Sequence, residues 1–301
     1  MGCCDGRVAI VTGAGRGIGR AHARALAAAG ARVVVNDLGV ALDGTGTSGG
    51  PAEEVVAEIR AAGGEAVANT DDVATWDGAE RLVHHAIDAF GDLHVLVNNA
   101  GVLRDRMLVN LAEDEWDTVM RVHLKGHAAP LRFAASYWRD RAKAGASTDA
   151  RIVNTSSGAG LAGSVGQGAY SAAKAGIAAL TLVAAAELAR YGVTVNAIAP
   201  AARTRMTAEV FGDRMAAPTD GSFDRMAPEN ISPLVVWLAS PASAGVTGRV
   251  FEVEGGLVGL AVGWQPGPSR DKGARWEPEE LGAVVETLIA EAPPPRPPYG
   301  A

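Results

Sequence analysis

Three side chains in the middle of the sequence have types and spacings that suit proton transfer to an oxygen atom. Tyr170 and Lys174 lie four residues apart in a helix-like segment, so they share one helix face. A lysine ammonium beside a phenol favours the phenolate and lowers its pKa, and such a tyrosine can exchange a proton with an alcohol or carbonyl. Ser157, which ends a strand-like segment, can hold the same oxygen. Because a Tyr-x-x-x-Lys pair alone is more often a surface pair, the catalytic interpretation needs a cofactor site as well.

A glycine-rich turn joins the first strand-like segment to the first helix-like segment. It reads Thr12-Gly13-Ala14-Gly15-Arg16-Gly17-Ile18-Gly19. Glycines let the chain turn tightly, and a helix N-terminus offers N–H groups and a positive dipole end to a pyrophosphate. The alternative is a purely structural turn, which four glycines between positions 13 and 19 argue against. We therefore predict that Gly13, Arg16, Gly17, Ile18 and Gly19 bind a dinucleotide.

A carboxylate at the end of the second strand-like segment indicates which dinucleotide is bound. Asp37 follows Gly19 at the distance where an acidic residue hydrogen-bonds the adenosine ribose hydroxyls and repels a 2′-phosphate. The sequence therefore favours NAD over NADP. Arg16 is the counter-signal, because a guanidinium can pair with a 2′-phosphate.

Apolar runs alternate with helical patterns along most of the chain. Seven strands are predicted at residues 7–12, 31–37, 65–72, 93–98, 151–156, 193–199 and 249–253. Helical patterns cover about residues 17–29, 52–62, 77–90, 113–143, 170–191 and 228–240. Strands without polar alternation, separated by helices, predict an α/β fold: one Rossmann-type, doubly wound parallel sheet of seven strands with helices on both faces.

Three segments interrupt this alternation. Residues 38–50 are glycine-rich, residues 203–227 lack a clean period and could form a lid, and residues 257–301 end in a proline cluster. No composition shift marks a second domain, so residues 1–301 are predicted to form a single dinucleotide-binding catalytic domain with an irregular C-terminal extension at 257–301. Met206, Met215 and Met226 could form an adaptable acyl pocket, with ordinary packing as the equal alternative.

Composition limits the partners. The net charge of −7 argues against nucleic acid as a general partner. No run is predicted to approach the roughly 20 apolar residues of a membrane span, and the N-terminus lacks the apolar stretch of a signal peptide. The two cysteines, Cys3 and Cys4, are adjacent. We expect a cytoplasmic protein with no membrane association. The histidines His84, His85, His94 and His127 have no partners at ligand spacing, so no metal site is expected.

These motifs together resemble the short-chain dehydrogenase/reductase family over about residues 6–256. The resemblance depends on the Thr12–Gly19 turn, Asp72-Val73, Asn98-Asn99-Ala100-Gly101 and Ser157 with Tyr170-x-x-x-Lys174. It implies strand order 3-2-1-4-5-6-7, a nicotinamide cofactor, and a homodimer or homotetramer. The resemblance also implies the cofactor contacts: Asp72 and Val73 at the adenine, Asn98, Ala100 and Gly101 along the cofactor, Lys174 with Tyr170 at the nicotinamide ribose, and Pro200 and Thr204 near the carboxamide.

The sequence departs from the family pattern at two positions. His123 stands where many members have the asparagine of a catalytic tetrad, a position that the resemblance assigns to organising backbone and water for the proton relay. Ala201 follows Pro200 where glycine is usual, which affects the local backbone shape. We keep His123 among the candidate catalytic residues, with Ser157, Tyr170 and Lys174.

Further stretches resemble a narrower subgroup. Residues 34–39, 103–106, 121–123 and 205–207 are similar to the (3R)-hydroxyacyl-CoA dehydrogenase part of peroxisomal multifunctional enzyme type 2 and to bacterial relatives. The resemblance implies an NAD-dependent oxidoreductase acting on a 3-hydroxyacyl-CoA, fatty or sterol-derived. A steroid or other hydroxy compound is the alternative substrate, and a non-catalytic nucleotide sensor is the alternative class. The alanine-rich segment 172–190 could pack against another subunit.

Overall fold

The computed structural model describes residues 2–39, 50–204 and 215–300. Eight strands form one sheet in the order β3-β2-β1-β4-β5-β6-β7-β8. The strands are β1 Val8–Thr12, β2 Arg32–Asn36, β3 Glu65–Asn69, β4 Val95–Asn98, β5 Ala150–Thr155, β6 Val193–Ala201, β7 Val250–Glu254 and β8 Leu257–Ala261. The first seven pair in parallel, and β8 pairs with β7 antiparallel.

Helices cover both faces of the sheet. The helices are α1 Gly17–Ala28, α2 Gly50–Ala61, α3 Trp76–Phe90, α4 Glu113–Val119, α5 Gly126–Lys143, α6 Gly158–Ala162, α7 Gly168–Leu188, α8 Ser232–Ala239 and α9 Leu281–Glu291. A π-helical segment, Met120–Lys125, joins α4 to α5. One apolar core packs α1, α2 and α8 on the sheet, and a second packs α3, α5 and α7 on the opposite face.

Strand β1 shows why its sequence is apolar throughout. Ala9 and Val11 lie in the core under α1 and α8, whereas Val8 and Ile10 lie in the core under α3 and α5. Because successive side chains point to opposite faces, a strand covered on both sides needs apolar residues at every position. The predicted doubly wound parallel sheet is confirmed in this respect.

The structure has eight strands where seven were predicted, and part of the C-terminal extension at 257–301 is regular. Gly255, with φ of +55°, and Gly256 form a two-residue reversal, so the chain returns along β7 as β8. A pair of glycines is well suited to such a hairpin. Beyond it, the helix formers between Leu281 and Glu291 build α9, none of whose side chains is buried. The extension is therefore a hairpin strand, a helix and a tail.

The single long helix predicted at residues 113–143 is divided in the structure. The π-helical segment interrupts it and contains His123. A π-helical turn holds one more residue than an α-helical turn, because its backbone hydrogen bonds join residues five apart, and such turns occur often at functional sites. The interruption aims His123 at the carboxyl end of the sheet, where the polar residues described below collect.

One helix in the described ranges, Gly168–Tyr191, is long and apolar enough to cross a membrane by length and composition. The expectation that no run approaches that limit is wrong for this helix. Its first two turns contain Tyr170 and Lys174, and its buried side, which includes Ala184 and Ala185, packs on the sheet. A core helix with one open face has this composition.

Two predicted features fall outside the described residues. Most of the glycine-rich segment 38–50 does so, as do residues 205–207 with Met206. Met215, the first described residue after the second gap, is buried and faces the cavity described next.

Candidate active site

The glycine turn lies between β1 and α1 and is held from the neighbouring loop. Gly13 has φ of +62°, and a Cβ built there would be 2.8 Å from the Cα of Ala100. The Nδ2 group of Asn99 donates to the carbonyls of Thr12 and Gly13 at 3.1 and 3.2 Å. Only glycine therefore fits at position 13, both for conformation and for space.

The N-terminus of α1 is open toward the cavity. The helix begins without a side-chain cap and without an acidic residue in its first turn. Gly17, Ile18 and Gly19 line the cavity at this end. Uncapped N–H groups and the positive end of the helix dipole suit a pyrophosphate. On these observations, the residues fit a dinucleotide.

Asp37 is fixed at the far end of the turn. Its Oδ2 accepts a hydrogen bond from Gly15 N at 2.8 Å, and its Oδ1 accepts one from Gly39 N at 2.8 Å. These contacts orient the carboxylate beside the glycine turn, where it lines the same cavity as Arg16. The next wall is formed by Asp72 and Val73, and the Nη1 of Arg121 donates to Asp72 Oδ2 at 3.1 Å.

The candidate catalytic side chains come from two elements that follow β5. Ser157 is the N-cap of α6, and its Oγ accepts a hydrogen bond from Ala159 N at 3.2 Å. Tyr170, in the first turn of α7, lines the same cavity, and the Ser157 side chain is close enough to lower its pKa. The Nζ of Lys174, one turn along, lies 5.6 Å from the centroid of the Tyr170 ring and donates to Thr155 O at 2.7 Å. The Ser157 and Tyr170 side chains thus line the same cavity as neighbours.

The acid–base properties of this pair differ from the sequence expectation. Burial raises the pKa of Tyr170 to about 12, and the hydrogen bond from Ser157 only partly opposes it. Burial also lowers the pKa of Lys174 to about 7. The expected lowering of the phenol pKa by Lys174 is therefore wrong for the protein without ligands. Removing both groups from water disfavours the phenolate and the ammonium alike, and Lys174 is not among the groups that shift the pKa of Tyr170.

His123 packs against the catalytic tyrosine. The two rings meet edge to face, with centroids 5.1 Å apart. The His123 Nε2 lies 2.6 Å from Val102 O, and its Nδ1 has no hydrogen-bond partner in the described part of the chain. Burial lowers the pKa of His123 to about 3, so the ring is neutral. Its contacts position the Tyr170 ring and the backbone after Gly101.

Asn98 is the one predicted site residue that does not reach the cavity. It is fully buried behind the wall, where its Nδ2 donates to Asn154 Oδ1 at 3.0 Å and to His127 O at 3.3 Å. The prediction that Asn98 lines the cofactor is wrong for its side chain, because alternate residues of β4 point to opposite faces and this one points into the layer between β5 and α5. All the other predicted site residues line one cavity, including Pro200 and Thr204.

Sequence reasoning missed several residues of this cavity. Arg121, Gln167 and Tyr299 line it, and Asn99 holds its glycine turn, whereas Met215, named from the sequence as a possible pocket residue, also lines it. The motif Asn98-Asn99-Ala100-Gly101 carried a signal for Asn99. Tyr299 had none, because nothing local relates the end of the chain to Ser157. Among the described residues, no group of three or more His, Cys, Asp or Glu side chains could hold a metal ion.

A parallel sheet that places a glycine turn and a buried Ser–Tyr–Lys group around one cavity defines a dinucleotide-dependent oxidoreductase. A model of the family described as short chain dehydrogenase matches residues 7–214. The chain belongs to the short-chain dehydrogenase family.

Relatives and a solved structure extend this assignment. The chain is 49% identical over 301 residues to hydroxyacyl-CoA dehydrogenase ChsB1 of Mycobacterium tuberculosis, with 96% of this chain and 90% of that protein covered. It is 42% identical over 281 residues to peroxisomal multifunctional enzyme type 2 of Mus musculus, covering 93% of this chain but only 34% of that longer protein. A crystal structure of a short chain dehydrogenase from Mycobacterium avium covers 100% of both chains at 62% identity, with a TM-score of 0.90.

Proposed function

We propose that this protein is an NAD-dependent dehydrogenase that oxidises the 3-hydroxyl group of an acyl-CoA thioester to a ketone. The observation that carries the chemistry is that the Ser157 and Tyr170 side chains lie as neighbours, beside Lys174, in the cavity that contains the glycine turn. The thioester is inferred from the hydroxyacyl-CoA dehydrogenase of Mycobacterium tuberculosis, which covers nearly the whole chain.

The residues of this chain would move one proton and fix one oxygen. The Ser157 Oγ holds the substrate hydroxyl, and the Tyr170 oxygen takes the hydroxyl proton as the carbon–oxygen double bond forms. Lys174, with a pKa of about 7, can hold or release a proton near neutral pH one helical turn away. When bound, a nicotinamide dinucleotide supplies the two-electron acceptor that takes the hydride from the carbinol carbon. The second hydrogen leaves as the proton.

The Tyr170 side chain is a neutral phenol before it acts as a base. Its pKa of about 12 keeps it protonated at neutral pH. A positive charge beside Tyr170 would favour its phenolate, and an oxidised nicotinamide held at the cavity would supply such a charge. We therefore infer that formation of the ternary complex, rather than Lys174 alone, makes Tyr170 a competent base.

The preference for NAD is attributed to Asp37. Two backbone amides hold its carboxylate at the end of the turn, so it cannot rotate away without losing both hydrogen bonds. A fixed negative charge at this position accepts hydrogen bonds from the ribose hydroxyls and repels a 2′-phosphate.

A second part of the proposal is that the protein is a cytoplasmic homodimer or homotetramer. The exposed Leu182 and Val183 on the open face of α7 support a subunit contact there.

A substrate panel tests the function. The protein is incubated with NAD or NADP and with a 3-hydroxyacyl-CoA, the matching thioester-free hydroxy acid, or a hydroxysteroid. Formation of reduced cofactor is followed by absorbance. We expect kcat/KM to be highest with the CoA thioester and NAD. Equal or better turnover of the free acid or the steroid would assign the alternative substrate class. Cofactor binding without turnover of any alcohol would assign the sensor class.

A further inference from the structure

The C-terminal tail returns to the candidate active site of its own chain. After α9, Arg296 Nη2 lies 2.6 Å from Glu252 Oε1 on β7. Three residues further on, the backbone N–H of Tyr299 donates to the carbonyl of Gly163 at 2.7 Å. An ion pair and a backbone hydrogen bond therefore fix the tail where the chain ends.

The Tyr299 ring packs against the residue that follows the catalytic serine. A Cβ built on Gly158 would lie 2.3 and 2.4 Å from two carbons of the Tyr299 ring. The ring thus occupies the space that any side chain at position 158 would need. The Tyr299 ring therefore lies against Gly158, the residue that follows Ser157 in the sequence. Ser157 is the N-cap of α6, and Gly163 follows its last residue. Because the Tyr299 ring lies against Gly158 and the Tyr299 N–H donates to the carbonyl of Gly163, Tyr299 contacts both ends of this helix.

Tyr299 also separates two cavities. It lines the catalytic cavity with Ser157 and Tyr170, and it lines an adjoining surface groove. The groove runs between residues 105–107, residues 164–167 and the tail. Gln167 lines both cavities as well. The groove and the catalytic cavity therefore adjoin, and Tyr299 and Gln167 lie between them.

The groove suits the apolar part of a substrate better than its charged part. Met107 and Val165 lie on its walls with 53% and 73% of their surfaces exposed, and Pro298 completes the tail side. Apolar side chains left open beside a reaction cavity are typical of a ligand groove. Asp105, whose Oδ2 accepts a hydrogen bond from Gln167 Nε2 at 2.9 Å, also lines the groove, and Arg106 forms an ion pair with Glu115 at 3.0 Å, so neither side chain favours the phosphates of CoA.

The geometry points to Tyr299 as a specificity-determining residue of the dehydrogenase reaction. Its ring contacts the acyl chain beyond the reacting carbon, where that chain passes from the catalytic cavity to the groove. This inference rests on the proposed function. The serine and tyrosine hydroxyls fix the reacting carbon, so a chain directed toward Gly158 meets the Tyr299 ring. A tyrosine offers a broad apolar face to a hydrocarbon chain and keeps a polar tip for water.

Chain length provides the test. The variant Tyr299→Ala is compared with wild type on 3-hydroxybutyryl-CoA, which has one methyl group beyond the reacting carbon, and on 3-hydroxyhexadecanoyl-CoA. We expect KM for the long chain to rise about tenfold, with kcat changed little, because an apolar contact is lost. KM for the short chain should stay within about twofold of the wild-type value, because that substrate does not reach the ring. Tyr299→Phe, which keeps the ring, should restore the wild-type profile.

Two further measurements separate this role from a structural one. Binding of NADH, followed by fluorescence, should be unchanged in Tyr299→Ala. Arg296→Ala, which releases the tail at a distance from the cavity, should change KM in the same chain-length-dependent direction. Equal effects on both substrates, or none, would overturn the inference and leave the proposed function intact. If wild type neither binds nor oxidises either thioester, the proposed function fails, and this inference fails with it.

Discussion

Replacing Gly13 by alanine tests the cofactor turn directly. Gly13 has φ of +62°, and an added Cβ would lie 2.8 Å from the backbone Cα of Ala100. The left-handed conformation alone costs an alanine about 1–2 kcal/mol. In a chain of 301 residues, whose unfolding entropy is about 0.6 kcal/mol/K, that cost lowers the melting temperature by about 1.5–3 °C. The clash is with backbone and cannot be relieved by a rotamer change, so the turn itself must move.

Gly91 provides the matched control for this substitution. It has φ of +81°, ends α3, and has nothing within 4 Å of an added Cβ. Gly91→Ala should lower the melting temperature through conformational strain and leave NADH binding unchanged. Gly13→Ala should lower it at least as much and also raise the Kd for NADH by at least about tenfold, or about 1.4 kcal/mol. Unchanged NADH affinity in Gly13→Ala, measured by fluorescence titration, would refute the assignment of this turn to the cofactor.

Three other substitutions address cofactor choice, buried charge and packing. Asp37→Asn should raise the ratio of kcat/KM with NADP to that with NAD by at least about tenfold, because the charge that repels a 2′-phosphate is removed; an unchanged ratio in steady-state kinetics would contradict this role. The pKa of Lys174 is lowered from 10.5 to about 7, so between these pH values the unfolded chain binds a proton that the folded chain does not. Stability should therefore rise with pH across this window, and Lys174→Met should remove that rise in melting curves recorded from about pH 7 to about pH 9. Trp138 is buried and donates to Leu93 O at 2.7 Å, so Trp138→Ala should cost about 3–5 kcal/mol in urea unfolding without changing the KM for NAD.

The parallel part of the fold could be predicted because burial on both faces leaves a simple record in the sequence. Strands such as β1 and β2 are short apolar runs, and the helices between them have clear periods. The edge strand β8 could not be predicted in the same way. Its apolar residues, such as Leu257 and Leu260, are exposed and follow two glycines, so the local sequence does not distinguish a strand from a loop. Pairing with β7 makes this segment a strand.

The candidate site could be predicted where motifs encode local geometry. Tyr170 and Lys174 are one helical turn apart whatever the rest of the fold does, and the glycine turn follows its strand directly. Properties set by three-dimensional packing were beyond the sequence. The raised pKa of Tyr170 comes from burial, the side chain of Asn98 points away from the cavity, and Tyr299 arrives from the end of the chain.

We propose that Tyr170 takes the proton of the substrate hydroxyl when that group is oxidised to a ketone. The most direct test is the rate of cofactor reduction by wild type and by Tyr170→Phe, with a saturating 3-hydroxyacyl-CoA and NAD in a stopped-flow absorbance experiment. We expect the rate to fall about a hundredfold to ten-thousandfold, because general acid–base catalysis is removed while the ring and its contact with His123 remain. NADH binding should be unchanged. A Tyr170→Phe variant that reduces NAD at a rate within about tenfold of wild type would contradict the claim.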